Sequence, residues 1–363
     1  MKILTILGAR PQFIKAAAVS RAIRSHNDIE EVIVHTGQHF DKNMSEVFFE
    51  QLDVPRPQYN LNISSLSHGA MTGRMLEKLE SIFQNETFNY CMVYGDTNST
   101  LAGALAAVKL QIPLAHVEAG LRSYNSAMPE EINRIITDRI SNILFCPTNV
   151  AVNNLKNESF PFFLAESQPQ RIVNVGDVML DAVLHYRKRA EITVDLNDFG
   201  LTDKEFVLCT LHRQENTDNE SNLRNILKAL RHIAKKMPVV LPLHPRTRAK
   251  ILSYRDNQML EGLLVLAPLS YLEMQRLQMS AYMILTDSGG VQKEAFFHEV
   301  PCITLREETE WTETLENGWN KLAGSDVSVI IDHFERIEHP SSQNKSFFGD
   351  GNAAQKIIDQ FSI

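Results

Sequence analysis

The chain reads as an α/β protein of two Rossmann-like domains, each built on a parallel sheet, with the sheet edges facing a cleft. Three observations predict this. Short runs rich in Ile, Val and Leu recur along the sequence, segments long enough for a helix separate them, and most runs end in small, polar or charged residues. Continuous apolar runs mark strands covered on both faces, whereas alternation would mark half-exposed ones. Strands alternating with helices imply right-handed βαβ units. At 363 residues the chain is long for one core and natural for two.

The runs of the first half are Ile3–Leu7, Glu31–His35, Tyr90–Tyr94, Leu114–Val117 and Ile143–Cys146. Those of the second are Ile172–Val175, Phe206–Leu211, Val239–Leu243, Leu263–Leu266, Met283–Thr286 and Cys302–Leu305. Between the halves, Asn157–Gln170 (NESFPFFLAESQPQ) is polar, aperiodic and proline-bearing, which suits a linker. The expected domains are therefore 1–168 and 169–363. The tail Asn352–Phe361 has a helical pattern and can pack back on the first domain.

Composition narrows the function. Hydrophobic residues at 44% and charged residues at 22% describe an ordinary globular protein. A net charge of −8 and the lack of a Lys/Arg-rich run argue against a nucleic-acid partner. No apolar run reaches the roughly 18 residues that span a bilayer. MKILTILGARPQ reads as a buried first strand and not as a signal peptide. Cys91, Cys146, Cys209 and Cys302 lie far apart in or beside apolar runs, so buried free thiols in a reducing cytoplasm are expected.

The strand ends carry the chemistry. In the first half they are Gly8-Ala9-Arg10-Pro11-Gln12 with Lys15 one turn on, Gly37-Gln38-His39, Gly95-Asp96-Thr97, and His116-Val117-Glu118-Ala119-Gly120-Leu121-Arg122. In the second half they are Leu211-His212-Arg213, His244-Pro245-Arg246 and Asp287-Ser288-Gly289-Gly290. Open parallel sheets bind ligands beyond their carboxyl edges, where helix N-termini favour anions.

Each motif has a plainer alternative. Asp287-Ser288-Gly289-Gly290 suits phosphate binding because Ser288 can cap a helix and the glycines let a phosphate approach; the alternative is a simple capped turn. Glu294 then lies on that helix where ribose hydroxyls would come. Arg10 suits a diphosphate or is a surface arginine in a turn. Asp96 and Glu118 end adjacent strands, an acid/base arrangement if the carboxylates are close. Glu130 and Glu131 open a helix behind Pro129, as first-turn acids commonly do. His212, His39 and His244 could protonate a leaving phosphate or serve structure. No metal-ligand spacing stands out, and no cofactor is called for.

Taken in order, Gly8-Ala9-Arg10-Pro11-Gln12-Phe13-Ile14-Lys15, Gly95-Asp96-Thr97, His116 to Arg122, Pro129-Glu130-Glu131-Ile132-Asn133-Arg134, Leu211-His212-Arg213 and Thr286 to Gly290 closely resemble the non-hydrolysing UDP-N-acetylglucosamine 2-epimerases of bacteria. The match runs from residue 1 to about residue 325. The resemblance implies a glycosyltransferase-B-like fold, a homodimer, and inversion at C2 of a UDP-2-acetamido sugar through a 2-acetamidoglucal, without cofactor or metal. It implies acid/base roles for Asp96, Glu118 and Glu130, with His212 assisting the departing UDP. Arg10, Lys15, His39, Arg122, His244, Arg246, Ser288, Gly289, Gly290 and Glu294 would hold the UDP-sugar.

This chain departs from the commoner pattern at Ala9, Gln12 and Glu46, and in the short loop from Arg122 to Pro129. The departures resemble a branch acting on UDP-2,3-diacetamido-2,3-dideoxyglucuronate in surface polysaccharide assembly, lipopolysaccharide O-antigen included, and plain UDP-N-acetylglucosamine stands beside it as the implied substrate. Its extra carboxylate wants a cation such as Arg122, Arg246 or Arg248. Rival readings are a hydrolysing epimerase, a glycosyltransferase of the same fold, and a non-catalytic nucleotide-sugar sensor.

Overall fold

The structure, a computed structural model, describes residues 1–38, 51–165, 168–254, 258–337, 340 and 345–361. His39 and Glu46 lie outside the described residues. The chain forms two compact units, Met1–Ala182 with Lys345–Ile363, and Val183–Asn344.

The first unit holds seven parallel strands: β1 (Lys2–Leu7), β2 (Glu30–His35), β3 (Tyr59–Asn60), β4 (Tyr90–Tyr94), β5 (Leu114–Val117), β6 (Ile143–Cys146) and β7 (Arg171–Asn174). Their order is β3-β2-β1-β4-β5-β6-β7. The winding reverses between β1 and β4, where Ile3 faces Tyr90 and Ile6 faces Val93. Such a reversal opens a crevice at the carboxyl edge. Leu4, Ile6, Cys91, Val93 and Leu114 pack with Met75, Leu79 and Phe83 of helix His68–Asn85 in one core.

The second unit holds β8 (Val207–Thr210), β9 (Val239–Pro242), β10 (Leu264–Leu266), β11 (Met283–Thr286), β12 (Cys302–Thr304) and β13 (Asn320–Leu322). All pair in parallel, in the order β10-β9-β8-β11-β12-β13. Two cores cover its faces, one led by Leu223, Leu227 and Leu230 of helix Glu220–Ile233, the other by Phe206, Leu208 and Ile284.

The division between units differs from the expected 168. The sequence pattern places residues 172–175 in the second half, but β7 pairs with β6, Ile172 opposite Leu144, and ends the first sheet. The proline-bearing stretch before it is tied down. It includes the strand pair Phe163–Ala165 and Gln168–Pro169, and Gln170 Nε2 donates to the carbonyls of Asp138 and Ser141 at 2.9 and 2.7 Å. Polar composition here reflects an edge element, not a hinge.

The tail returns to the first unit. The Asp181 carboxylate accepts the Ala353 and Ala354 N–H groups at 3.1 and 2.8 Å, and Phe361 meets the rings of Tyr90 and Phe145. All four cysteines are buried and unpaired, and burial pushes each thiol up, Cys302 to about 12. No described helix is long and apolar enough to cross a membrane.

Candidate active site

In the first unit the site is built from the ends of three neighbouring strands, β1, β4 and β5. After β1, helix Arg10–Arg24 begins with Arg10, half-buried. Gln12 Oε1 accepts the N–H groups of Gly8 and Ala9 at 2.8 and 3.0 Å, and its amide donates to the Tyr94 carbonyl at 2.7 Å. Gln12 thus ties the first loop to the end of β4.

β4 ends at Gly95, whose φ of +60° suits glycine. A Cβ there would stand 3.1 Å from Glu118 Oε2, so glycine also lets that carboxylate approach the backbone. Asp96 follows, and Thr97 caps helix Asn98–Lys109. Glu118 ends β5 with φ +71°, a left-handed conformation that costs a non-glycine residue energy. The N–H groups of Glu118 and Ala119 both donate to the Phe145 carbonyl at 3.0 Å and hold the turn.

Asp96 and Glu118, expected as an acid/base arrangement on adjacent strand ends, each hold a cation. Lys15 Nζ donates to Glu118 Oε2, and both side chains are buried. Arg134 donates to Asp96 Oδ2 at 2.6 Å while Asn133 Nδ2 holds the Asp96 carbonyl at 2.9 Å. Lys15, expected at the nucleotide, is committed to Glu118 because a buried carboxylate needs a cation more than an exposed phosphate does.

Helix Pro129–Ile140 supplies most of these partners. Its first-turn acids divide: Glu130 is half-buried, while Glu131 is buried and accepts from Ser123 N, Tyr124 N and Arg134. The helix is inverted for a surface element. It buries Glu131, Asn133, Arg134, Thr137 and Asp138, and exposes Ile132, Ile135 and Ile136 at 49, 41 and 37%.

Arg122, expected to meet a substrate carboxylate, is not available to one. It is buried, forked onto Glu158 at 2.6 and 2.8 Å, and donates to Asp138 Oδ2 at 2.7 Å. A fully paired guanidinium in the interior anchors structure.

In the second unit, β11 leads into Asp287, which is fully buried. Its carboxylate accepts the N–H groups of His212 and Arg213 at 3.0 and 2.9 Å and faces His212 Nδ1 at 3.3 Å. Burial acts to raise this carboxyl, but the bond and charge of His212 and the backbone N–H groups outweigh it and lower its pKa. With Nδ1 engaged, Nε2 of the half-exposed His212 is the nitrogen left for proton transfer. His244 lies beside it, ring centroids 6.3 Å apart, just ahead of helix Pro245–Ser253, which carries Arg246 and Arg248.

Ser288 caps helix Gly289–Phe297, its Oγ accepting from Val291 N at 3.5 Å. A Cβ on Gly289 would come within 2.5 Å of Glu310 Oε1, so the helix start is closely packed on one side. Glu294, buried on the same helix, accepts from Gln278 Nε2 at 2.7 Å. Gln275 extends this chain to His298 Nε2 at 2.8 Å.

Sequence reasoning missed the partners. Arg134 and Asp287 lie inside the strand-end and helix-start motifs, Glu158 lies in the proline-bearing stretch, and Asp138 and Gln278 belong to no motif. Arg134 and Asp138 are four apart on one helix face, a signal hidden by the neighbouring isoleucines.

The chain has clear relatives. A family profile described as UDP-N-acetylglucosamine 2-epimerase matches residues 21–362. The UDP-2,3-diacetamido-2,3-dideoxy-D-glucuronate 2-epimerase of Pseudomonas aeruginosa is 52% identical over 99% of both chains. A UDP-N-acetylglucosamine 2-epimerase homolog of Methanococcus maripaludis is 50% identical over 99% of both. The crystal structure of the Methanocaldococcus jannaschii UDP-GlcNAc 2-epimerase, in complex with UDP-GlcNAc and UDP, is 40% identical with a TM-score of 0.90, covering 100% of this chain and 99% of that one.

Proposed function

The chain belongs to the UDP-N-acetylglucosamine 2-epimerase family, and on that premise we propose how it inverts C2 of a UDP-2-acetamido sugar. A carboxylate takes the C2 proton, the C1–O bond to UDP breaks, and a C1=C2 double bond gives the 2-acetamidoglucal. UDP then adds back at C1 while C2 takes a proton on its opposite face. Two faces require more than one proton-transfer group, and Asp96, Glu118 and Glu130 supply them. His212, oriented by Asp287, donates to the departing UDP. Arg10 and the Ser288-Gly289-Gly290 helix start hold the diphosphate, with Glu294 toward the ribose.

The observation that carries this reading is the buried Asp287 between His212 and the glycine-rich helix start. One carboxylate there orients a proton donor directly beside an anion cradle. UDP-2,3-diacetamido-2,3-dideoxyglucuronate is the proposed substrate, supported by the 52% identity to the Pseudomonas aeruginosa enzyme. Since Arg122 is committed, its extra carboxylate falls to Arg246 or Arg248. Plain UDP-N-acetylglucosamine is the second reading, favoured by the Methanocaldococcus jannaschii relative.

A surface-polysaccharide role such as O-antigen assembly follows from that sugar. Four buried thiols support a cytoplasmic setting. The exposed Ile132, Ile135 and Ile136 support self-association as a homodimer. An NMR time course with both UDP-sugars tests the reaction. Epimerisation without an acceptor and without accumulating UDP is expected. Stoichiometric UDP release would indicate the hydrolysing alternative, and no C2 deuterium incorporation would indicate a binder.

A further inference from the structure

His116, on β5, is completely buried, and both ring nitrogens meet acceptors. Nδ1 lies 2.7 Å from Asp138 Oδ1 and Nε2 lies 2.7 Å from the Gly95 carbonyl oxygen. A neutral imidazole has one N–H and satisfies only one of them. The carbonyl has no proton to offer. The Asp138 carboxylate is committed on its other oxygen, which accepts from Arg122 at 2.7 Å and from the Gly120 N–H at 3.1 Å. Burial acts to raise the Asp138 carboxyl, but its bonds and charge interactions with His116 and Arg122 outweigh this and lower it.

Arg122 also forks onto the partly exposed Glu158, which holds the guanidinium against Asp138.

We infer that His116 is a doubly protonated positioning residue for the epimerisation, tying the Gly95–Asp96 turn and the Glu118–Gly120 turn to the single carboxylate of Asp138. Its Nε2–H fixes the carbonyl that immediately precedes Asp96. Asp138 fixes the N–H two residues beyond Glu118. Glu118 holds an unfavourable backbone conformation, which persists only where the surroundings over-determine it. Asp138 and Arg134 share one helix, so the anchor of both turns and the cation on Asp96 move as one piece.

Neutron diffraction from crystals of the whole protein tests the ring directly. Deuterons on both Nδ1 and Nε2 are expected, and a ring carrying only one overturns the inference. This result is read on the unaltered protein and stands whether or not a variant folds. The functional consequence rests on the epimerase reading and is tested with His116→Gln and Asp138→Asn. Both are expected to lose about 100-fold in kcat, with KM and UDP affinity held within about twofold. Taking kcat per titrated UDP site keeps partial unfolding from imitating the effect. Wild-type kcat in either folded variant overturns the positioning role. An unaltered protein without epimerase activity would sink the functional reading alone and leave the neutron result to decide the ring.

Discussion

The first sheet runs β3-β2-β1-β4-β5-β6-β7 and the second β10-β9-β8-β11-β12-β13, so both units reverse direction after the same number of strands. Their strand ends are nevertheless furnished differently. The first unit meets its strand-end carboxylates with buried cations: Lys15 with the buried Glu118, Arg134 with the partly exposed Asp96, and Arg122 with the buried Asp138. The second gathers backbone N–H groups and one histidine on the carboxylate of Asp287 beside a glycine-rich helix start, against which the buried pair Arg306–Glu310 packs. Groups that exchange protons at carbon need fixed positions and defined charge. A diphosphate needs N–H donors and room. On the proposed assignment one winding serves both, so chemistry resides in the strand ends and not in the fold.

The comparison can be broken most severely at Asp96. Asp96→Asn should keep the fold and lower kcat about 1000-fold, within the range of acid/base loss. Wild-type turnover in a coupled epimerase assay would remove the first unit from proton transfer. Next comes its ion network. Arg122→Ala should destabilise the protein by about 3 kcal/mol by leaving Asp138 buried and underpaired, read as a lowered urea midpoint.

In the second unit, Asp287→Asn should cost about 30-fold in kcat by releasing His212. It should also blunt acid unfolding. A carboxyl lowered in the folded state stabilises above its unfolded value of about 3.9 and loses that contribution as pH falls through the folded value. An acid-unfolding curve unchanged from wild type would contradict this. Gly289→Ala should raise KM about tenfold with kcat little changed, because the added Cβ meets Glu310 and shifts the helix start. Steady-state kinetics separates the two parameters.

The smallest expected effect sharpens the contrast in burial. His35 packs against the Phe13 ring, and burial pushes it down to about 4. An unfolded histidine near pKa 6.5 binds protons that the folded one excludes. Stability is therefore full above that value and declines as pH falls from there toward about 4. His35→Leu should flatten the decline between about pH 7 and pH 5 in urea titrations. A decline equal to wild type would show that another group is responsible.

The central strands were legible because a buried parallel strand is a continuous apolar run. The edge strands Tyr59–Asn60 and Asn320–Leu322 were not, since two or three residues make no run. The site was legible as a set of strand-end residues: Asp96, Glu118, His212, Ser288 and Gly289 stand where those positions imply. Their partners were not, because Lys15 meets Glu118 across 103 residues and Asp287 meets His212 N across 75. Helix Pro129–Ile140 conceals its partners for a further reason: its isoleucines are exposed and its polar face is the buried one.

By itself, the sequence determined two parallel sheets, four buried thiols and an ordered series of polar strand ends, because these depend on local pattern and on which residues water rejects. Only the tertiary structure decided that β7 closes the first sheet, that the tail returns to that unit, that Arg122 and Lys15 are anchors within the interior, and that His116 stands between a carboxylate and a carbonyl. The reason is physical. The cost of burying a charge is set by the partner it meets, and that partner arrives from a distant part of the chain only when the sheet has formed.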